Sequence, residues 1–80
     1  MISNRNGTFS ADVELNLYVG GNRYEIGHLG LDFALLDQSQ TIDASQGELE
    51  TVIDGKSSRW KIRFTSPITS ESKRITFEAI

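Results

Sequence analysis

The single histidine of the chain, His28, is the first residue to consider for chemistry. A histidine that acts as a general base needs a carboxylate to orient its ring, together with a nucleophile or a bound water. Asp32 and Asp37 follow it in the sequence and could supply that carboxylate. The chain has no glycine-rich phosphate loop, Gly-x-Ser-x-Gly or His-Glu-x-x-His motif. We therefore predict a non-catalytic protein in which His28 is a possible contact for a ligand or partner.

Acidic residues cluster in the middle third of the chain, where two or three of their oxygens could bind a cation. They are Asp32, Asp37, Asp43, Glu48 and Glu50. Their spacing does not match the Asp-x-Asx-x-Asx-Gly pattern of a calcium loop, and the chain has no cysteine for a zinc or iron-sulfur site. We therefore expect no metal and no cofactor, and assign these acids to the solvation of loops and strand edges.

Three basic residues, Arg59, Lys61 and Arg63, alternate along one segment around Trp60. Cations next to an aromatic residue are typical of proteins that bind single-stranded nucleic acid. The alternation places Trp60 on the opposite face, however, and a net charge of −3 is unlike that of most nucleic-acid binders. We therefore predict no nucleic-acid binding and expect the three cations to pair with acids across a hairpin. They remain possible contacts for a ligand or protein partner.

Two short segments resemble a known family. Glu25-Ile-Gly-His-Leu-Gly30 resembles, over six residues, the Asp/Asn-x-Ser-x-x-Gly motif of PilZ-type barrels, although both polar ligand positions differ. Arg59-x-x-x-Arg63 has the spacing of the arginine pair of that family, but it lies downstream of the first segment, where the family places it upstream. The resemblance implies an alternative function as a ligand-binding barrel for a cyclic dinucleotide.

The size and composition of the chain favour one globular core. With 80 residues, 38% of them hydrophobic and 24% charged, residues 1–80 are expected to form a single β domain. Residues 1–54 carry 2 basic and 9 acidic side chains, whereas residues 55–80 carry 6 basic and 2 acidic ones, which indicates that the two halves pair. No signal-peptide pattern or long apolar run is present. We therefore expect a soluble, cytoplasmic protein without membrane contact.

Alternating apolar and polar residues predict strands. The alternation runs from Phe9 to Val19, a length that must bend to fit a small barrel or sandwich. A turn at Gly20-Gly21, or one residue later at Gly21-Asn22, joins it to a strand that carries Tyr24, Ile26 and His28 on its inner face. Either turn keeps the faces of this hairpin matched.

A second hairpin spans Glu48 to Phe64 around Asp54-Gly55, which is a strong turn signal. A two-residue loop places Glu50 opposite Arg59 and Glu48 opposite Lys61. A four-residue loop places Glu50 opposite Lys61 and Glu48 opposite Arg63. Both registers pair a basic strand with an acidic one.

The remaining segments complete a sheet of about six strands. Phe33 to Leu36 is predicted to be a short strand buried on both sides, with Ile42 as an anchor in the polar loop that follows. Arg74 to Ile80 is the last strand and the leading candidate for a free edge, which closure into a complete barrel would remove and which Lys73, Arg74 and Glu78 could instead protect from pairing. The residues expected to form one core are Leu15, Leu17, Trp60, Ile62, Phe64 and Phe77.

These features predict an all-β fold, a small antiparallel barrel or sandwich of about six strands. No motif identifies its function. We expect a non-catalytic protein-interaction or accessory module that binds a protein partner, or a second copy of itself, through the edge strand Arg74 to Ile80.

Overall fold

The computed structural model describes residues 13–80, and these residues form six strands and no helix. The strands are β1 (Val13–Val19), β2 (Asn22–Leu29), β3 (Phe33–Leu36), β4 (Gln46–Ile53), β5 (Lys56–Phe64) and β6 (Arg74–Ala79). This confirms the predicted all-β class. The part of the first predicted strand that precedes Val13 lies outside the described residues. No helix in the described part of the chain is long and apolar enough to cross a membrane.

The six strands form a closed antiparallel barrel in the order β1-β2-β3-β6-β5-β4, which is completed by pairing of β4 with β1. Strand β6 pairs with β3 through Arg74 to Thr76 and with β5 through Phe77 to Ala79. The prediction that Arg74 to Ile80 is a free edge is therefore wrong. Closure of the barrel pairs the first half of this strand with β3 and its second half with β5, so neither half is without a partner strand.

Both predicted hairpins have two-residue loops. Gly20 and Gly21 have φ values of 58° and 84°, and Leu17 lies opposite Tyr24, as expected for the earlier of the two possible turns. The second hairpin turns at Asp54 and Gly55, with φ values of 52° and 84°. Two consecutive residues with positive φ match the right-handed twist of the strands, which explains the preference for glycine at these turns. The alternative loops at Gly21-Asn22 and over four residues are wrong.

The barrel interior holds the predicted apolar residues. Its buried side chains are Leu17, Val19, Ile26, Ala34, Leu36, Ile42, Leu49, Ile62, Ile68, Ile75 and Phe77. Leu15, Trp60 and Phe64 pack against this cluster while remaining half-buried. Ile42 also forms a β-bridge with Ile68 and holds the two long loops against the core, which confirms its predicted role as an anchor.

A β-bulge in β2 changes which side chains face the core. Ile26 lies opposite Leu36, but the next pairs are His28 with Leu35 and Leu29 with Ala34. The irregularity between Ile26 and His28 adds one residue to β2, so the phase of the alternation reverses there. Leu29 therefore packs on the core, and His28 is exposed on the outside. The prediction that His28 shares the inner face of Ile26 is wrong.

Candidate interaction surface

A buried carboxylate is the centre of a polar network on the outside of the barrel. The side chain of Glu50 is only 9% exposed. Asn16 Nδ2 and the Tyr18 hydroxyl donate hydrogen bonds to its Oε1 at 3.1 and 3.0 Å. Ser57 Oγ and Arg59 Nε donate to its Oε2 at 3.0 and 3.1 Å. Four donors therefore satisfy both oxygens of this carboxylate, as burial of a charge requires.

The register of three neighbouring strands brings these donors together. Glu50 lies directly opposite Asn16 of β1 and directly opposite Arg59 of β5. Arg23 of β2 extends the network, because its guanidinium donates to Asn16 Oδ1 at 2.9 Å. We define the Glu50 face by the side chains of this network. They are Asn16, Tyr18, Arg23, Glu48, Glu50, Ser57 and Arg59.

The network changes the acidity of its members. The hydrogen bond from Asn16, followed by those from Tyr18, Arg59 and Ser57, lowers the pKa of Glu50 from 4.5 to about 2. Hydrogen bonding to Glu50 raises the pKa of Tyr18 and that of Arg59. The carboxylate is therefore fully ionised at neutral pH and weakly basic, which is a poor starting point for a general base.

Arg59 is the most heavily engaged of the cations predicted from the sequence. Its Nε lies 3.1 Å from Glu50 Oε2, and its Nη1 lies 3.5 Å from Glu48 Oε1. Its guanidinium carbon is 4.4 Å from the centre of the Tyr18 ring. This confirms the predicted pairing of Arg59 across the hairpin. The acids and the ring together occupy both the edge and one face of the guanidinium.

The other two predicted cations behave differently. Arg63 pairs with Glu78 of β6, with N–O distances of 2.9 and 2.5 Å, because these two residues lie directly opposite each other. Pairing of Arg63 with Glu48 is therefore wrong. Lys61 lies opposite Glu48 in the ladder but forms no ion pair within residues 13–80. Since Arg59 and Arg63 both hold carboxylates of this chain, the arginine spacing gives little support to a cyclic-dinucleotide site.

The outside of β3 has the opposite character. Ala34 and Leu36 point into the core, so Phe33 and Leu35 point outward. Leu35 is 37% exposed, and Leu31, in the turn before β3, is 98% exposed. The prediction that β3 is buried on both sides is therefore wrong for its outer side. The strand is apolar on both faces although only one of them is covered by the described residues.

Phe33 contacts the side chains of His28 and Arg74, and its ring lies against Gly30. Its ring centre lies 5.7 Å from that of His28 and 4.7 Å from the guanidinium carbon of Arg74. A Cβ atom at Gly30 would overlap the ring, so the absence of a side chain at Gly30 gives Phe33 its position. This side of the barrel is named here the Leu31 face. Its members are His28, Leu31, Phe33, Leu35 and Arg74.

A tight turn presents Leu31 to solvent. The backbone N–H of Gly30 donates to the carbonyl oxygen of Phe33 at 2.8 Å, which closes a turn with Leu31 and Asp32 at its tip. Such positions usually hold Gly, Asn or Asp, because these residues adopt the φ values of tight turns or hydrogen-bond their own backbone. The sequence contains a signal that could have indicated this surface, since an apolar residue occupies a turn position.

Other candidate sites are less developed. Within residues 13–80, no group of three or more His, Asp or Glu side chains could hold a metal ion, and His28 has no hydrogen bond to Asp32 or Asp37. A groove of about 800 Å³ lies between residues 41–45 and 64–69, and its lining contains no lysine or arginine. Val13 and Ile53 are also half exposed, but Val13 adjoins residues outside the described range, and no surface is assigned there.

Comparisons with protein-family models, with curated proteins and with solved structures gave no match. A functional inference therefore depends on the geometry of the two outer faces. One of them is a closed polar network, and the other is an apolar strip with an arginine at its side.

Proposed function

We propose that this barrel is a non-catalytic protein-interaction module whose partner docks on the Leu31 face. The observation that carries the proposal is the exposure of Leu31, 98%, on a turn next to the outward-facing Phe33 and Leu35. Contiguous apolar side chains on the surface of a soluble domain are typical of interaction sites. The aromatic ring and the arginine of this face belong to the residue types that contribute most to binding at protein interfaces.

The energetics of this surface favour binding. Burial of one leucine side chain from water is worth about 1.5–3 kcal/mol. The Gly30 to Phe33 hydrogen bond holds the turn before any partner arrives, so little backbone freedom is lost when Leu31 is buried. Phe33, which contacts both His28 and Arg74, is likewise ordered in advance. A preformed apolar surface retains more of its burial energy as affinity than a mobile one does.

The polar residues favour binding over catalysis. The carboxylate of Glu50 accepts hydrogen bonds from four donors of this chain, and its pKa is about 2. His28 contacts the ring of Phe33 and has no orienting carboxylate among the described residues. A general base needs an available lone pair and a pKa near the working pH. Glu50 has neither, and His28 lacks a carboxylate that would orient its ring.

The proposed docking uses side chains and not an added strand. Strand β6, expected from the sequence to pair with a partner, is already paired with β3 and β5. The side chains of the Leu31 face are independent of that backbone pairing. The proposed recognition surface is therefore the outer face of β3 and not the edge of a sheet.

The test is capture of partners from a lysate of the source organism, followed by affinity measurement with each purified candidate. We compare the wild type with Leu31→Ser and with the control Lys61→Ser, which changes an exposed residue near the Glu50 face. Leu31→Ser should weaken the interaction at least about tenfold, since it removes most of the burial energy of one leucine. Lys61→Ser should leave it unchanged.

Two results would contradict the proposal. One is a partner whose affinity is the same for the wild type and Leu31→Ser. The other is micromolar binding of a cyclic dinucleotide or a single-stranded oligonucleotide by the wild type, which would favour the ligand-binding alternative.

A further inference from the structure

We infer that the segment that docks on the Leu31 face carries a carboxylate beside its apolar side chains, and that Arg74 binds this carboxylate. The inference rests on the proposed function and specifies the chemistry of the partner. It is carried by the position of Arg74 and by the absence of an acid beside it within the described residues.

Arg74 differs from the other arginines of residues 13–80. Arg23, Arg59 and Arg63 each form an ion pair with a glutamate of this chain, whereas Arg74 forms none within that range. Its guanidinium carbon lies over the Phe33 ring, 4.7 Å from the ring centre. A contact with a ring uses none of the N–H donors in an ion pair, so they remain for a planar, bidentate acceptor such as a carboxylate.

The position over the Phe33 ring prepares Arg74 for binding. An arginine side chain loses rotamer freedom when it forms an ion pair, and this loss weakens most pairs at exposed sites. Contact with Phe33 already restricts Arg74, so the loss on binding is smaller. Apolar neighbours such as Leu35, which lies opposite Arg74 in the ladder, would exclude water once a partner is in place. A charge-assisted hydrogen bond is stronger under those conditions.

The local charge favours an acidic partner over a basic one. Lys73 is exposed next to Arg74 and forms no ion pair among the described residues. None of the residues that define the Leu31 face is acidic, and Asp32 lies at the turn beside Leu31. Lys73 and Arg74 are therefore two adjacent cations without an acid partner among the described residues, on a chain whose overall charge is −3. Complementary charge gives such a surface its choice of partner.

The experiment uses pools of short synthetic peptides that share the same leucine and phenylalanine content. Their remaining variable positions are glutamate in one pool, glutamine in the second and lysine in the third. Each pool is titrated into the ¹⁵N-labelled protein and followed by NMR. The glutamate pool should shift the amides of residues 28–35 and 73–76 and bind at least about tenfold more tightly than the glutamine pool, as expected for a hydrogen bond to a charged group.

Variants isolate the role of Arg74. Arg74→Gln should abolish the preference for glutamate over glutamine while retaining the weaker binding of the glutamine pool. Arg63→Gln, which removes an arginine of the same barrel that already has an acid, should retain the preference. Leu31→Ser should weaken the binding of every pool, because it removes the apolar anchor common to all of them.

The outcomes separate this inference from the proposed function. Equal affinity for the glutamate and glutamine pools, with shifts at the Leu31 face, would overturn the inference and leave the docking surface intact. Absence of shifts at this face with every pool would overturn the docking surface as well. Self-association of the protein that is abolished by Leu31→Ser would identify a second copy as the occupant and would also overturn the inference.

Discussion

The Glu50 face and the Leu31 face belong to the outer surface of the same barrel, but their side chains find partners in different ways. On the Glu50 face, Arg59 and Arg23 donate to acceptors of this chain, and the central carboxylate has four donors. On the Leu31 face, Leu31 and Leu35 are exposed, and Arg74 has no acid partner within residues 13–80. Polar groups that already have hydrogen-bond partners within the chain add little to the affinity for a second protein. Exposed apolar side chains, and a cation without an acid partner, can add to it.

The strands that build the two faces explain this difference. Strands β4 and β5 pair without interruption from Gln46 to Arg63, so acids and bases on the outer side lie directly opposite each other. Strand β3 has only four residues, and the bulge in β2 shifts its register with that neighbour. Regular pairing therefore produces a closed ion network, and the irregular region produces the open apolar strip.

The largest expected effect tests the assigned faces of β3. Leu36 is buried in the core and Leu35 points outward, so the two leucines form a matched pair one residue apart. Leu36→Ala should lower the free energy of unfolding by about 2–5 kcal/mol. Leu35→Ala should lower it by about 1 kcal/mol or less. Urea unfolding of both variants measures this, and the reverse order would show that the strand faces are assigned incorrectly.

The second effect tests whether the hydrogen bonds to Glu50 stabilise the fold, through the pH dependence of the melting temperature. The folded-state pKa of Glu50 is lowered to about 2 from 4.5, so its ionisation stabilises the fold above pH 4.5, and this stability is lost as the pH falls toward 2. Glu50→Gln should lower the melting temperature by several degrees at neutral pH, and the gap to the wild type should narrow between pH 4.5 and 2.

Glu25→Gln is the control for this prediction, because Glu25 forms only an exposed pair with Arg23 at 3.5 Å. It should change the melting temperature little at any pH. If Glu50→Gln has the same melting temperature as the wild type at neutral pH, the network adds no stability.

A smaller effect is expected from Gly30→Ala, which should perturb the Leu31 face and leave the Glu50 face unchanged. A Cβ atom at Gly30 would overlap the Phe33 ring, so Gly30→Ala should displace this ring from His28 and Arg74. We expect a loss of about 1 kcal/mol in stability, because an outward-facing ring can move. NMR shifts should change at the Leu31 face and stay constant at Glu50. Unchanged shifts at Phe33 would contradict its described position.

The smallest effect on stability is expected at Leu31, the residue that we propose as the main docking contact. Leu31 is 98% exposed, so Leu31→Ser should change the free energy of unfolding by no more than about 0.5 kcal/mol. Thermal unfolding measures this directly. A loss several times larger would mean that Leu31 supports the fold, and its role as a free docking residue would have to be abandoned.

Regular features of the fold could be predicted from the sequence. Alternation predicts the inner faces of β1, β5 and β6, and the Gly-Gly and Asp-Gly dipeptides predict both hairpin turns. The two-residue loop at Asp54-Gly55 then places Glu50 opposite Arg59. These predictions succeed because turn chemistry and side-chain period are local properties of the chain.

Features that depend on tertiary structure could not be predicted in the same way. The bulge at Gly27 reverses the phase of β2 and moves His28 outward, and simple parity does not reveal it. Pairing of Arg63 with Glu78 requires β6 to lie beside β5, which the sequence does not specify. The exposure of the outer side of β3 could not be predicted, because a short apolar run does not indicate which face is covered.

The central claim is that a partner docks on the Leu31 face and leaves the Glu50 face free. Cross-saturation NMR tests it most directly, with the labelled barrel in complex with the partner protein identified by capture. Irradiation of the partner should attenuate the amide signals of residues 28–35 and 74, and leave those of residues 48–50 and 57–59 at full intensity. Attenuation centred on residues 48–50 and 57–59, with residues 28–35 unaffected, would contradict the account.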